Sequence, residues 1–356
     1  MATIQPEVTK PRLATFQPLS LPKVLLHEHL DGGLRPQTLF DLCRLRGIDV
    51  PAADAEGLAA WMHANADSGS LESYLLGFDL TVAAMASREA CERVAFEAAE
   101  DALADGCVLA EFRMAPQLLE RHGLHAEDVV EAILEGLSRS DLATGLIVCG
   151  MRTDAPEVTL RAAQLASRYR DQGVVGFDLA GAERGFPPGV HAQALRFARE
   201  AGLGITCHAG ESDEGFRVLE AAALGATRIG HGINVVRGRT EAETTRWTEE
   251  ARKRGLHFEV CPSSNVHTGA VASLEEHPIA RMQEAGLSVS CSTDNRLMSA
   301  VTLSDELQRI HESLDLDARD MGAMMLDAVD ASFLPASERD AARRSIREAW
   351  PVANDG

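Results

Sequence analysis

The chain has 356 residues, 45% of them hydrophobic, and a formal net charge of −20. That is enough for one large core, and α/β barrels commonly run this long as a single domain. The acidic balance argues against nucleic acid as a partner, because phosphate binding needs clustered Lys and Arg. No stretch reaches the roughly 18 uninterrupted apolar residues of a membrane span.

Residues 1–20, MATIQPEVTKPRLATFQPLS, carry charges and prolines without an apolar run. They read as a loose N-terminal arm rather than a secretory signal. From residue 21 to 356 the pattern reads as one domain. Short apolar, β-branched runs alternate with longer helical stretches. The strand candidates are KVLLHEH (23–29), VLAEFRMAP (108–116), LIVCGMRT (146–153), VVGFDLAG (174–181), GITCHAG (204–210), TRIGHGI (227–233), LHFEVCP (256–262) and LSVSCSTD (287–294). Between them lie amphipathic segments such as REACERVAFEAAEDALADG (88–106), with apolar residues three and four apart and a glycine stop. Others are AEDVVEAILEGLSRS, HAQALRFAREAG and EAETTRWTEEARKRG. Eight strands alternating with helices predict a parallel sheet closed into a (β/α)8 TIM barrel. The first crossover, residues 34–106, is longer than the others and predicts a helical insertion over the C-terminal face, where barrel active sites lie. The tail after about residue 335 predicts a last helix with a frayed end.

Seven cysteines lie far apart, at 43, 91, 107, 149, 207, 261 and 291, with no CxxC. They read as buried free thiols in a reducing cytoplasm. Lysine occurs only at 10, 23 and 253, so none is placed to form a Schiff base or to bridge two metals.

Polar residues collect at one end of the predicted strands. His27 and His29 end the first, His208 the fifth (with Glu211 three residues on), His231 the sixth and Asp294 the eighth. Residues two apart share a face of a strand. His27 and His29 can therefore both aim at the barrel axis, with His208 and Asp294 converging from across it. Three imidazoles and a carboxylate suit a borderline divalent cation, zinc first, with a position left for water.

The stretches LPKVLLHEHLDGGL, FDLAGAE, TCHAGE, RIGHGI, FEVCPSSN and CSTDN together resemble the adenosine deaminase family of the amidohydrolase superfamily, in family order from residue 21 to about 300. The fourth strand ends in DLAG without the lysine that bridges two metals in other superfamily members, so the resemblance implies one Zn2+ per subunit. It implies that His27, His29, His208 and Asp294 hold the metal and that Glu211 is the general acid for purine N1. His231 then orients the metal's water and stabilises the oxyanion, Gly181 offers its backbone N–H to N3, and Asp31 binds a ribose hydroxyl. His29 and Asp294 also face the substrate. The family often has STDDP where this chain has STDNRLM, so Asn295 occupies the position that contacts N7, and an amide can still donate there. PSSN (262–265) would shape the pocket.

The implied reaction is hydrolytic deamination of adenosine or 2′-deoxyadenosine in purine salvage, with a small purine nucleoside as the partner. Another adenine compound is the alternative: free adenine, or a 5′-modified adenosine such as aminodeoxyfutalosine. A phosphorylated substrate would need a basic rim; Arg35, Arg184 and Arg296 are candidates but none is compelling, so AMP is disfavoured. A non-catalytic nucleoside-binding barrel would lack a ligand or the acid, and every one is present. A hydrolase of a cyclic amide or ester is disfavoured by DLAG and the glutamate of HAGE.

Overall fold

The computed structural model describes residues 16–67 and 71–352, the side chains of 71–76 excepted. Eight strands form one parallel sheet in sequential order: β1 (Lys23–His29), β2 (Cys107–Met114), β3 (Ala143–Met151), β4 (Val174–Ala180), β5 (Gly204–Ala209), β6 (Arg228–His231), β7 (His257–Val260) and β8 (Ser288–Cys291). A single parallel bridge, Glu28 to Asp294, joins the last strand's exit to the first. The (β/α)8 barrel is thus present, with all eight predicted strands in place.

The last three strands are shorter than their sequence runs. Each run leaves the ladder where its backbone turns. His231 and Asp294 adopt left-handed φ values of 61° and 60°, which no strand can continue. Pro262 lacks an N–H and opens a helix instead. β1 has the opposite irregularity. Leu25 pairs with Ala110, and the next paired residue, Glu28, pairs with Phe112. One extra residue therefore bulges at Leu26–His27, at the start of the HEH segment, as bulges next to functional sites often do.

Four helices fill the first crossover: α1 (Pro36–Arg46), α2 (Ala55–Ala66), α3 (Leu71–Met85) and α4 (Arg88–Ala104). The remaining connections are α5 (Ala126–Leu137), α6 (Pro156–Arg168), α7 (Ala192–Glu200), α8 (Phe216–Ala223), α9 (Glu241–Lys253), then α10 (Pro262–His267) with α11 (Ile279–Glu284). After β8 come α12 (Arg296–Ser299), α13 (Leu303–Leu314), α14 (Ala318–Ala331) and α15 (Ala336–Ala349). The starts follow local chemistry. Ser87 caps α4 by accepting from the Ala90 N–H, and Thr302 with Asp305 forms a capping box on α13. Gly106 closes the 88–106 stretch with φ 86°. α5 shows why these helices pack: Val129, Val130, Ile133 and Leu137 are buried, while Glu127 and Glu131 are not.

The hydrophobic core lies between sheet and helices. Phe112, Phe177 and Phe258 are fully buried there, each contributing on the order of 2 kcal/mol. Their strand neighbours Glu111, Arg113, Asp178 and Glu259 are also fully buried, together with Arg228 and Lys23. Lys23 donates to the carbonyls of Pro18 and Leu21 at the N-terminal end of β1, away from the site. Most of the arm, residues 1–15, lies outside the described residues. Phe16 packs its ring 4.9 Å from His311. The final residues of the tail, 353–356, are likewise outside them. Among the described residues no helix is long and apolar enough to cross a membrane, and all seven cysteines are buried and free.

Candidate metal centre and active site

His27 and His29 leave β1 on one face, and His208 comes from β5 across the barrel. Their ring centroids lie 4.7–5.4 Å apart. His29 Nε2 is 3.4 Å from His208 Nε2. Asp294 Oδ1 is 3.4 Å from His27 Nε2 and 3.5 Å from His29 Nε2. One donor atom from each of the four falls within 4.8 Å of every other. These are spacings around a common centre rather than mutual hydrogen bonds.

Two features show that the set fits a cation. His27 Nε2 is buried without a hydrogen-bond partner, which leaves its lone pair for a ligand. The far nitrogens of two rings are tied to carboxylates: His27 Nδ1 donates to Glu259 Oε2 at 2.8 Å, and His208 Nδ1 lies 3.1–3.2 Å from the Asp178 oxygens. A carboxylate on Nδ1 fixes the tautomer that presents Nε2 to a metal. Burial holds His29 well below the ordinary imidazole value and His208 down to about 4, so both are neutral donors. For Asp294, burial opposes ionisation, but the imidazoles of His27, His231 and His29 close to it outweigh this and keep the carboxylate charged. Gly230 makes the convergence possible. A Cβ there would sit 3.0 Å from His27 Cε1 and 3.2 Å from His208 Cγ.

Glu211 lies beside this centre, with Oε2 3.6 Å from His231 Nε2. Its other oxygen accepts from Thr268 Oγ1 and Asn265 Nδ2, each at 3.0 Å. Burial pushes its carboxyl up, against the pull of His231. His231 Nε2 is also 4.0 Å from Asp294 Oδ2, so this imidazole stands between the acid and the centre. Glu183 nails down the HAGE loop by accepting from the backbone N–H groups of Gly210, Glu211 and Asp213.

A cavity of about 220 Å³ opens onto these groups. Its polar wall includes His29, Asp31, Gly181, His208, Glu211, His231, Asp294 and Asn295; Phe78 and Val82 of α3, with Leu118 and Met151, supply apolar surface. The helical insertion therefore forms a pocket wall. Asp31 is buried with Oδ1 unpartnered, and burial raises it to about 7. Gly181 has φ 96°, a conformation that leaves this turn to glycine. All nine residues singled out from the sequence are brought together here.

Several partners escaped the sequence reading. Asp178 and Glu259 were visible only as isolated charges inside apolar runs, FDLA and HFEV. PSSN does more than shape the pocket: Ser264 Oγ donates to Asp294 Oδ2 at 2.6 Å, and Asn265 touches both Glu211 and His231. The arginines considered for a phosphate are engaged elsewhere. Arg35 pairs with Asp101, Arg184 donates to the Ser212 carbonyl, and Arg296 binds Glu28, Asp101 and the Gly33 carbonyl. Among the described residues lining the cavity the one Lys or Arg is Arg121, and it pairs with Asp79 at 2.7 Å.

The family model described as adenosine deaminase matches residues 22–349. An adenosine deaminase of Mycobacterium tuberculosis is 42% identical over 342 residues, covering 91% of this chain and 93% of the relative. Among solved structures, an adenine deaminase from Arthrobacter aurescens superposes with a TM-score of 0.82 at 26% identity, over 92% of this chain and 99% of that one. An N6-mAMP deaminase from Arabidopsis gives 0.81 at 26% identity, over 93% and 99%. With a family match across nearly its whole length, on the strand ends where the imidazoles and acids converge, the chain belongs to the adenosine deaminase family.

Proposed function

We propose that this chain hydrolyses adenosine and 2′-deoxyadenosine to inosine and 2′-deoxyinosine, releasing ammonia, with one zinc ion held by His27, His29, His208 and Asp294. The observation that carries the reading is a largely buried carboxyl, Glu211, beside a four-donor cation site at the floor of a nucleoside-sized cavity. A divalent cation there supplies a water whose pKa is lowered to about 7, a nucleophile at neutral pH.

The protein's own groups do the rest. C6 of adenine is a poor electrophile while the ring keeps its aromatic delocalisation. A proton placed on N1 by Glu211 opens C6 to attack, and burial keeps that carboxyl protonated to higher pH than an ordinary glutamate. Thr268 and Asn265 occupy one of its oxygens, so the other faces the reacting ring. His231 orients the attacking water and stabilises the oxyanion that forms at C6. Water adds to C6 first and gives one proton to His231; the C6–N bond of the tetrahedral adduct then breaks, the amine taking that proton to leave as ammonia while the remaining C6 hydroxyl proton returns to Glu211. Gly181 N–H meets N3, the Asn295 amide donates to N7, and the unpartnered Asp31 oxygen takes a ribose hydroxyl.

A paired Arg121 and three engaged arginines argue for a nucleoside over a nucleotide. Another adenine compound is the alternative substrate. Seven free thiols suit a cytoplasmic enzyme. The test is ammonia release by the purified protein over adenosine, 2′-deoxyadenosine, adenine, AMP and 5′-modified adenosines, with zinc quantified in the same sample. Adenosine and deoxyadenosine should lead. A tenfold preference for another compound overturns the substrate, and a metallated protein silent on all of them overturns the reaction.

A further inference from the structure

Two carboxylates steer two of the imidazoles, and one side chain holds both carboxylates. Arg113 on β2 has no solvent exposure. Its Nη1 donates to Asp178 Oδ2 at 2.8 Å, and its Nη2 donates to Glu259 Oε2 at 2.6 Å and to the Leu26 carbonyl at 2.8 Å. Asp178 is the group on His208 Nδ1, and Glu259 Oε2 is the same oxygen that accepts from His27 Nδ1. Leu26 directly precedes His27 on β1. Each contact of this guanidinium thus stands one group away from a ligand imidazole.

We propose that Arg113 is the positioning residue of the metal centre. It fixes the ring planes and tautomers of His27 and His208 together, so that two lone pairs from opposite sides of the barrel meet at one point. A planar fork holds two carboxylates at a set angle, whereas an ammonium is a compact charge on a flexible stem that fixes no such angle between its acceptors. The inference rests on the ligand reading above. The competing account is that Arg113 merely neutralises buried charge, for which removal of one partner is costly anyway. Arg228 separates the two accounts. It is equally buried and also binds Glu259, but through Oε1, and its other hydrogen bonds go to Glu111 and to the carbonyls of Leu26 and Ala331. It reaches neither Asp178 nor the Glu259 oxygen that holds His27.

The experiment compares zinc-loaded wild type with Arg113→Lys, Arg113→Gln and Arg228→Lys. Zinc release into a chromophoric chelator and zinc affinity are measured, with Tm recorded on the metal-free forms. Both Arg113 variants should bind zinc about 10–100-fold more weakly and release it correspondingly faster, the usual size of a lost outer partner, while Arg228→Lys stays within about threefold. Imidazole 15N shifts of the metal-free protein give a second readout. His27 and His208 should be Nδ1–H tautomers in the wild type and mixtures in Arg113→Lys, which a purely structural role would not produce. In an Asp178→Asn/Glu259→Gln background, replacing Arg113 should add little to zinc release. If the Gln variant fails to fold, the Lys variant still decides. A folded Arg113→Lys that releases zinc at the wild-type rate, or equal losses at Arg113 and Arg228, overturns this inference alone. A wild-type protein that takes up no divalent cation overturns the ligand reading with it.

Discussion

Replacing Glu306 with Gln should stabilise the protein, and increasingly so as pH rises. Glu306 lies on α13 with no exposure. Both its oxygens accept from the Ser263 N–H, at 3.2 and 3.3 Å, at the start of the short α10 that carries Ser264 and Asn265 into the site. Burial raises its carboxyl from 4.5 to about 7; the Ser263 bond and nearby Arg309 only partly offset this. Below pH 4.5 the group is protonated in both folded and unfolded chains, so the variant gains nothing there from removing the charge. Between 4.5 and about 7 the unfolded chain gives up its proton and the folded one keeps it, so the wild type loses stability relative to the variant; above about 7 the gap is complete. At about 1.4 kcal/mol per pH unit this interval amounts to about 3 kcal/mol. With an unfolding entropy of about 2.1 cal/mol/K per residue, that corresponds to roughly 4 °C in Tm. Differential scanning fluorimetry of both proteins from pH 4 to 9 reads the Tm gap directly. Turnover should stay within about twofold, because Gln keeps an acceptor for Ser263. A gap that does not change with pH, or that shrinks as pH rises, refutes the reasoning.

The site itself yields sharper outcomes. Glu211→Gln keeps the shape and removes the acid, so kcat should fall about 10²–10⁴-fold while zinc content by atomic absorption stays at the wild-type level; a mild effect on kcat would remove Glu211 from its role. His208→Ala should lose metal and activity together, and a fully metallated, active variant would strike it from the ligand set. Gly230→Ala forces a methyl against His27 and His208. Its zinc affinity should drop by about an order of magnitude, and unchanged affinity in a chelator titration would mean that the rings have room to spare.

How much of this could be read from residues alone depended on where the information lies. The strands were legible because VLL, LIV and similar runs are short, apolar and punctuated by turn residues. The ligands were legible because polar residues recurred at the same end of successive strands. What stayed hidden was the other half of each contact. Alternation along each strand says that Arg113, Asp178 and Glu259 face away from the adjoining Phe112, Phe177 and Phe258, but not that this side points into the barrel, where His27 of β1 and His208 of β5 meet them. Isolated charges in apolar strands were the one signal, and they were passed over. PSSN gave no sign of a helix because its six-residue α10 is too short for any periodicity. The partners of Arg35, Arg184 and Arg296 stayed hidden for a related reason: sequence nearness to a site says nothing about which acceptor reaches a guanidinium first.

The backbone contacts that close the barrel are made by the proposed cation donors themselves. Strand β8 ends before it can pair with β1, and among the described residues Asp294 carries the backbone bonds across the gap: its N–H donates to the His27 carbonyl at 2.9 Å, and its carbonyl accepts from the His29 N–H at 2.7 Å. The backbone that zips the cylinder shut therefore belongs to three of the four cation donors. Asp294 does this in a left-handed conformation costing on the order of 1–3 kcal/mol, and His231 bears the same strain on the other side of the acid. Such strain persists only where the surroundings over-determine it, and here they do. Ser264 holds the Asp294 carboxylate, Asn265 holds the His231 ring, and Glu306 holds the helix that presents both. The strained turns are what aim a carboxylate and an imidazole back over the barrel mouth instead of along the strand, where neither would meet a substrate.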